Sequence, residues 1–157
     1  MKKILSSLIS LFIMLSAFAQ EQITNDERLK EESNIYIQTY PQLFETAEIK
    51  EIHKIDKDHK IIRYLKQGTY FETIVNANRE EMLLLETAQL IPKNELPQIV
   101  LDAFKANYGS SFELKRQFTV ERPHTQQLFR LDAINTKKEI ANTFYFNHLG
   151  EEKESSL

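Results

Sequence analysis

The residues of this 157-residue chain that could do acid–base or metal chemistry are four histidines and three pairs of adjacent acids. The histidines are His53, His59, His124 and His148, and the acid pairs are Glu31-Glu32, Glu80-Glu81 and Glu151-Glu152. Their spacing points to neither chemistry. No His-x-x-x-His or His-Glu-x-x-His occurs, and no cysteine is present to complete a zinc set. His53 and His59 flank Lys54–Asp58, where Asp56 or Asp58 could join them around a metal ion. The same run reads more simply as a polar hairpin turn, and it lacks the Gly and the distal Glu of a calcium loop. General acid–base work needs two carboxylates in unlike, partly buried environments, whereas adjacent acids at turns are solvated. Gly68, Gly109 and Gly150 stand alone, so no glycine-rich phosphate loop is present, and no Gly-x-Ser-x-Gly occurs. The sequence therefore predicts no catalytic residue, no cofactor and no metal site.

The aromatic residues carry more. There are ten Phe and six Tyr, without Trp. Phe104, Phe112, Phe118 and Phe144 fall on stripes expected to face a helix. If Phe144 and Phe146 point to that helix, Tyr145 points the opposite way, because side chains alternate along a strand. Tyr70, Glu72 and Ile74 would share that side, and Lys115, Gln117 and Arg130 would join them from neighbouring strands. An open sheet face carrying Tyr70, Glu72, Lys115, Gln117, Arg130 and Tyr145 resembles the composition of protein interfaces. An ordinary solvated face with scattered aromatics has the same composition. If the face is open, replacing Tyr145 and Arg130 together by Ala should leave the fold intact and weaken capture of a protein partner.

The elements that would hold this face can be followed along the chain. Asn94 offers an N-cap, Pro97 fits a first turn, and Leu96, Val100, Ala103, Phe104 and Tyr108 recur at helical spacing up to Gly109. From Phe112 to Val120 apolar residues alternate with polar ones, as in a strand with one covered face. Two further strands precede a turn at Asn147–Gly150, after which a short last strand fits. The first half repeats this order. Thr24 and Glu27 have capping-box spacing, and Leu29, Ser33, Tyr36, Ile37 and Tyr40 form a helical stripe that Pro41 ends. Four strands follow. Between residues 48 and 60, Ile49, Ile52 and Ile55 keep a three-residue spacing, which fits a bulged strand or a helical turn equally. Tyr40 and Tyr108, Phe44 and Phe112, and Glu45 and Glu113 lie 68 apart, and Asn76 meets Asn147 at 71. This suggests an internal duplication. The expected fold is α+β: two tandem helix-plus-antiparallel-strand units, residues 20–91 and 92–157, sharing one sheet of about eight strands with both helices on one face.

Residues 1–19 read as a secretory signal peptide. Lys2 and Lys3 precede an apolar run, and Ala17-Phe18-Ala19 forms a small-x-small cleavage site. Cleavage after Ala19 would leave 138 residues with 18 basic and 23 acidic side chains, a formal charge of −5. An acidic exported chain without a basic cluster is a poor nucleic-acid binder. No later segment is long and apolar enough to span a bilayer. The expected location is the periplasm or the exterior, and without cysteine the fold must rest on a packed core.

The run from Glu95 to Gly109, the strand at Leu128–Ala133 and the stretch Thr143–Glu152 together resemble the PepSY-like domains of exported bacterial proteins. Leu96, Pro97, Val100, Ala103, Phe104, Tyr108, Phe146, Asn147 and Gly150 occupy the places of that family's pattern. Gly109 stands where the family has Pro, and Asn147 where it has Asp. The resemblance implies a fold related to β-lactamase-inhibitor proteins, in which the concave sheet face grips a protein partner. It supplies no catalytic residue. Two functions are expected from different classes. One is a non-catalytic exported protein-binding module that inhibits or regulates an envelope enzyme through the open sheet face. The other is a periplasmic small-molecule or metal sensor with a pocket between helices and sheet.

Overall fold

The computed structural model describes residues 27–78 and 82–155. The signal peptide, its cleavage point after Ala19, Thr24 of the capping box and the pair Glu80-Glu81 lie outside the described residues. The described residues up to Glu45 form one compact unit, and those from Thr46 onward form another.

In the first unit, α1 is helical over residues 27–39 and is followed by the short helix α2 (Pro41–Phe44). Ser33 and Tyr36, on the predicted stripe, are buried. The Ser33 hydroxyl donates to the Leu29 carbonyl at 2.6 Å, and the Tyr36 ring meets Phe44 edge-on at 6.3 Å. Pro41 takes the first position of α2, where it has no amide hydrogen to leave unpaired.

The second unit is built on one sheet of eight antiparallel strands in chain order. These are β1 (Ala47–Lys54), β2 (His59–Lys66), β3 (Thr69–Ala77), β4 (Met82–Leu90), β5 (Phe112–Glu121), β6 (Leu128–Asn135), β7 (Ala141–Phe146) and β8 (Glu152–Lys153). A 3₁₀ turn (Lys93–Glu95) and the helix α3 (Gln98–Tyr108) connect β4 to β5. Local chemistry sets the turns. Gln67 and Gly68, with φ of 52° and 78°, make the two-residue link from β2 to β3 that suits the twist of a hairpin. After β7, the Asn147 side-chain oxygen accepts the amides of Leu149 and Glu151 at 3.0 and 2.9 Å. Gly150 closes that turn at φ 78°, where an added Cβ would lie 3.0 Å from the Ile99 carbonyl oxygen.

Val100 and Phe104 of α3 pack on Phe129, Leu131, Ala133 and Phe146, with Ile91 and Leu96 closing the cluster. Phe112, Leu114 and Phe144 pack against it. Burying a side chain of this size stabilises by about 1.5–3 kcal/mol, so this cluster fixes α3 on one face of the sheet. The helix starts later than its sequence suggests: Pro97 is the N-cap residue, and Asn94 lies in the 3₁₀ turn without capping α3. Gly109 ends the helix in right-handed geometry, its amide on the Lys105 carbonyl at 3.0 Å. Residues 48–60 contain a bulged strand, with a register shift between Ile49 and Glu51, and then a turn.

The tandem arrangement is corrected by this architecture. All eight strands belong to one unit, the compact division comes at Glu45, and the sheet passes from β4 to β5 without a break. Residues 68 apart do not play equivalent parts. Tyr40 lies between two helices whereas Tyr108 ends one, and Phe44 closes a helix whereas Phe112 opens a strand. Within the sheet-bearing unit α3 is the described helix that packs on the sheet, and a pair of helices on one face is not shown. The single sheet of eight antiparallel strands is as expected.

Candidate functional site

A bulge in β5 decides which residues reach the face away from α3. In β5, Leu114 pairs with Ala133 and Arg116 with Asp132, so Lys115 is an extra residue. Strict alternation from Phe112 would place Phe118 and Val120 under the helix and Gln117 opposite. Beyond the bulge the assignment reverses. Gln117 pairs with Leu131 and lies on the helix face, donating to the Pro92 carbonyl at 2.5 Å. Phe118 pairs with Arg130 on the far face, where it packs with Ala88, Val120, Leu128 and Tyr145. Lys115 is exposed and pairs with Glu113 at 2.6 Å. Gln117 is thus displaced from the predicted face by one inserted residue.

Tyr70, Glu72, Arg130 and Tyr145 do share the far face. Tyr145 stands beside Arg130, and Glu72 stands beside Arg63 and Ala88. Tyr70 lies one pleat further along β3, its ring 6.5 Å from Phe118. This face is not an open, solvated surface. Arg130, Glu72 and Tyr145 are 4%, 2% and 5% exposed. Two things cover it: the segment after β8, whose Ser155 lines the far-face pocket and whose Glu154 carbonyl accepts from Arg122 at 3.0 Å, and the curvature of the sheet. β1 and β7 are six strand spacings apart, about 29 Å in a flat sheet, yet Ile55 beyond β1 and Thr143 of β7 line a single pocket of about 290 Å³. The sheet therefore curls over its far face.

Burial forces the charges there to find partners. Arg130 binds Glu72 through Nη2, and its Nε lies 3.3 Å from Asp132. Glu72 also accepts from Tyr70 at 2.9 Å and faces Arg63 and Arg116 at 3.3 and 3.6 Å. Arg116 reaches Asp132 at 2.8 Å, and Thr143 donates to the same carboxylate at 3.2 Å. Fully buried Glu86 takes Arg122 at 3.1 Å and the Tyr145 hydroxyl at 3.0 Å, with Arg130 at 3.8 Å. Arg130 lies over the Phe118 ring at 3.9 Å, and Arg122 over Tyr145 at 4.7 Å. Sequence reasoning missed Arg63, Glu86, Arg116, Asp132 and Phe118. Period-two alternation from Arg130 reaches Asp132, but β5 needed the bulge to be seen.

Two acidities follow from this environment. Burial pushes the Glu72 carboxyl up, but the Arg130 charge and hydrogen bond, Tyr70 and Arg116 outweigh it and hold the group below its ordinary value. Burial, then the Glu86 charge, push the Tyr145 hydroxyl up to about 12. A carboxyl whose pKa is lowered by folding contributes stability above its unfolded value and loses it as pH falls through the folded value. Stability of the intact chain should therefore drop as pH falls below 4.5, the ordinary value for this group. Glu72→Gln should be less stable at neutral pH and show a shallower acid limb. Urea midpoints measured against pH check this, and parallel acid limbs would refute it.

The histidines do not converge. Asp56 accepts the amides of Asp58 and His59 at 2.8 and 2.9 Å and lies 2.8 Å from the His59 ring, an arrangement that shapes the β1–β2 turn. Its pKa is lowered to about 2, mainly by the His59 side chain. Among the described residues no group of three or more His, Asp or Glu side chains is placed to hold a metal ion. No described helix is long and apolar enough to cross a membrane.

No family model matches the sequence, and no curated protein matches it. Solved structures do resemble it. A DUF2874 family protein from Bacteroides uniformis ATCC 8492 superposes with a TM-score of 0.56 at 16% identity, covering 75% of this chain and 84% of its own. A protein from Bacteroides eggerthii DSM 20697, provisionally assigned to the periplasm, gives 0.56 at 17% identity over 78% and 84% of the two chains. A second DUF2874 family protein, from Bacteroides ovatus ATCC 8483, gives 0.50 at 13% identity over 76% and 79%. At these identities the likeness is one of fold.

Proposed function

We propose that this chain is an exported, non-catalytic protein-binding module of the PepSY-like kind, acting in the periplasm. It grips its partner with the curled far face of the sheet. The observation that carries this is the pocket on that face, where Arg63, Arg116, Arg130 and Tyr145 stand beside Ile55 and Ile74. Arginine and tyrosine next to apolar contacts are what protein interfaces concentrate at their centres. The signal-peptide pattern and the fold shared with a provisionally periplasmic protein support the location. Inhibition or regulation of an envelope enzyme is the role such a module would serve. The competing function, a sensor with its pocket between helix and sheet, gains nothing from this pocket, which lies on the other face.

A blocking substitution tests the assignment. Thr143 is exposed at the pocket margin, so Thr143→Trp should occlude the pocket without removing any buried charge. Affinity capture from an envelope extract with the mature chain should retain a partner that Thr143→Trp loses and Lys115→Gln keeps. Equal retention by all three would refute the far face as the binding surface.

A further inference from the structure

We infer that the far-face pocket receives the C-terminal residue of a partner chain, a carboxylate carried beside a short apolar side chain. The inference rests on the binding function proposed above and names the chemistry of its ligand. Three arginines line the pocket, Arg63, Arg116 and Arg130, against two carboxylates, Glu72 and Asp132. Glu72 is shared by all three guanidinium groups, so three cations face two anions among the residues that line the pocket itself. Glu51 answers Arg63 from the rim at 2.8 Å, and Glu86, beneath Arg130, is engaged by Arg122 and Tyr145.

The hydrogen-bonding balance leans the same way. The buried side-chain atoms left without a hydrogen bond among the described residues are all guanidinium nitrogens: Arg63 Nε, Arg122 Nη2 and Arg130 Nε. Two of these belong to pocket residues, and the Arg130 side chain is 5% exposed. Arg63 Nε and Arg130 Nε nevertheless lie 3.3 Å from the Glu72 and Asp132 carboxylates, so the donors left for a ligand are the outer N–H groups of the more exposed arginines. Arg63 and Arg116 keep 32% and 47% of their side chains exposed, so their outer N–H groups can take a carboxylate in the paired geometry that arginine favours.

The apolar part of the wall selects among carboxylates. Ile61 and Ile74 are neighbours on β2 and β3 of the far face, and Ile55 stands at the margin. A chain terminus places a carboxylate and an aliphatic side chain on one carbon atom, within reach of both the arginines and the isoleucines. An internal Glu or Asp side chain carries its carboxylate without that branch. The volume, about 290 Å³, lies at the small end of ligand pockets and suits a terminal residue better than a large cofactor.

The test is a titration of the folded mature chain, followed by NMR at the arginine Nε–H groups. The probes are acetyl-Ala-Ala-Leu with a free carboxylate, its C-terminal amide, an amidated peptide with an internal Glu, and acetate alone. The free-carboxylate peptide should shift the Arg63 and Arg130 Nε–H signals, and the amide should bind at least tenfold more weakly. Arg116→Gln should weaken the acid peptide at least tenfold and Lys115→Gln should leave it unchanged. The wild-type titration needs no substitution, so misfolding of a variant cannot hide the answer. Equal binding of acid and amide, or no shift with any probe, would overturn the inference. Binding of the internal-Glu peptide or acetate as tight as that of the acid peptide would overturn the chain terminus as the source. If these fail while Thr143→Trp still abolishes partner capture, the far face remains the binding surface and only its ligand chemistry is wrong.

Discussion

Arg130→Ala is expected to lower folding stability by about 3–5 kcal/mol, read as a fall in the urea midpoint with an unchanged slope. The guanidinium is the hub of the far-face network. It binds Glu72, lies 3.3 Å from Asp132 and 3.8 Å from Glu86, and covers the Phe118 ring. Glu72 and Glu86 are 2% and 0% exposed. Removing the cation leaves two carboxylates out of water with less compensation, and a broken buried pair costs far more than an exposed one. Arg116→Ala supplies the comparison. Its side chain is nearly half exposed and also faces Glu72 and Asp132, so its loss should be about 1 kcal/mol or less. Similar losses from the two variants would show that the network is solvated and that Arg130 is not its centre. The same geometry means that replacing Tyr145 and Arg130 together should damage the fold, contrary to what an open face would allow. Tyr145 donates to buried Glu86, and deleting it would strand that carboxylate further.

The difference between those two outcomes marks where sequence stops being informative. Alternation of apolar and polar residues identifies the strands, because each strand must cover one face regardless of its neighbours. The contrast between Tyr145 and the flanking Phe144 and Phe146 is legible for the same reason: one strand, uninterrupted, settles it. Glu72, Arg130 and Tyr145 are therefore placed together by sequence and by structure. Their burial is not legible. It depends on the sheet curling until Ile55 and Thr143 line one pocket, a consequence of twist and bulges summed over many strands. A row of charges on such a face reads in sequence as solvated, when in the fold the charges must satisfy one another. The repeat suggested by residues 68 apart fails for a related reason. Tyr40-Pro41 leads into a short helix, whereas Tyr108-Gly109 leads into a strand, so similar residues serve unlike geometry.

The bulge at Lys115 makes the sharpest case. Phe118→Ala should cost about 3–5 kcal/mol, as expected for deleting a fully buried ring, but the position of the damage is what distinguishes the two assignments. Were Phe118 on the helix face with Phe112 and Leu114, the cavity would open beneath α3, and hydrogen exchange would quicken first in the amides of residues 100–108. On the far face the cavity instead opens under Arg130 and beside Tyr145, Ala88 and Val120. The α3 amides should then keep their protection relative to the rest of the unit, while the Arg130 Nε–H exchanges faster and its signal moves. Phe118→Leu refills most of the volume but removes the ring from beneath the guanidinium, so it should recover most of the stability and leave the Arg130 signal displaced. Early loss of α3 protection in Phe118→Ala would contradict the bulged register and return Phe118 to the helix core. Preserved α3 protection with a perturbed Arg130 would fix a one-residue insertion as the device that turns an apolar stripe from the helix toward the far face.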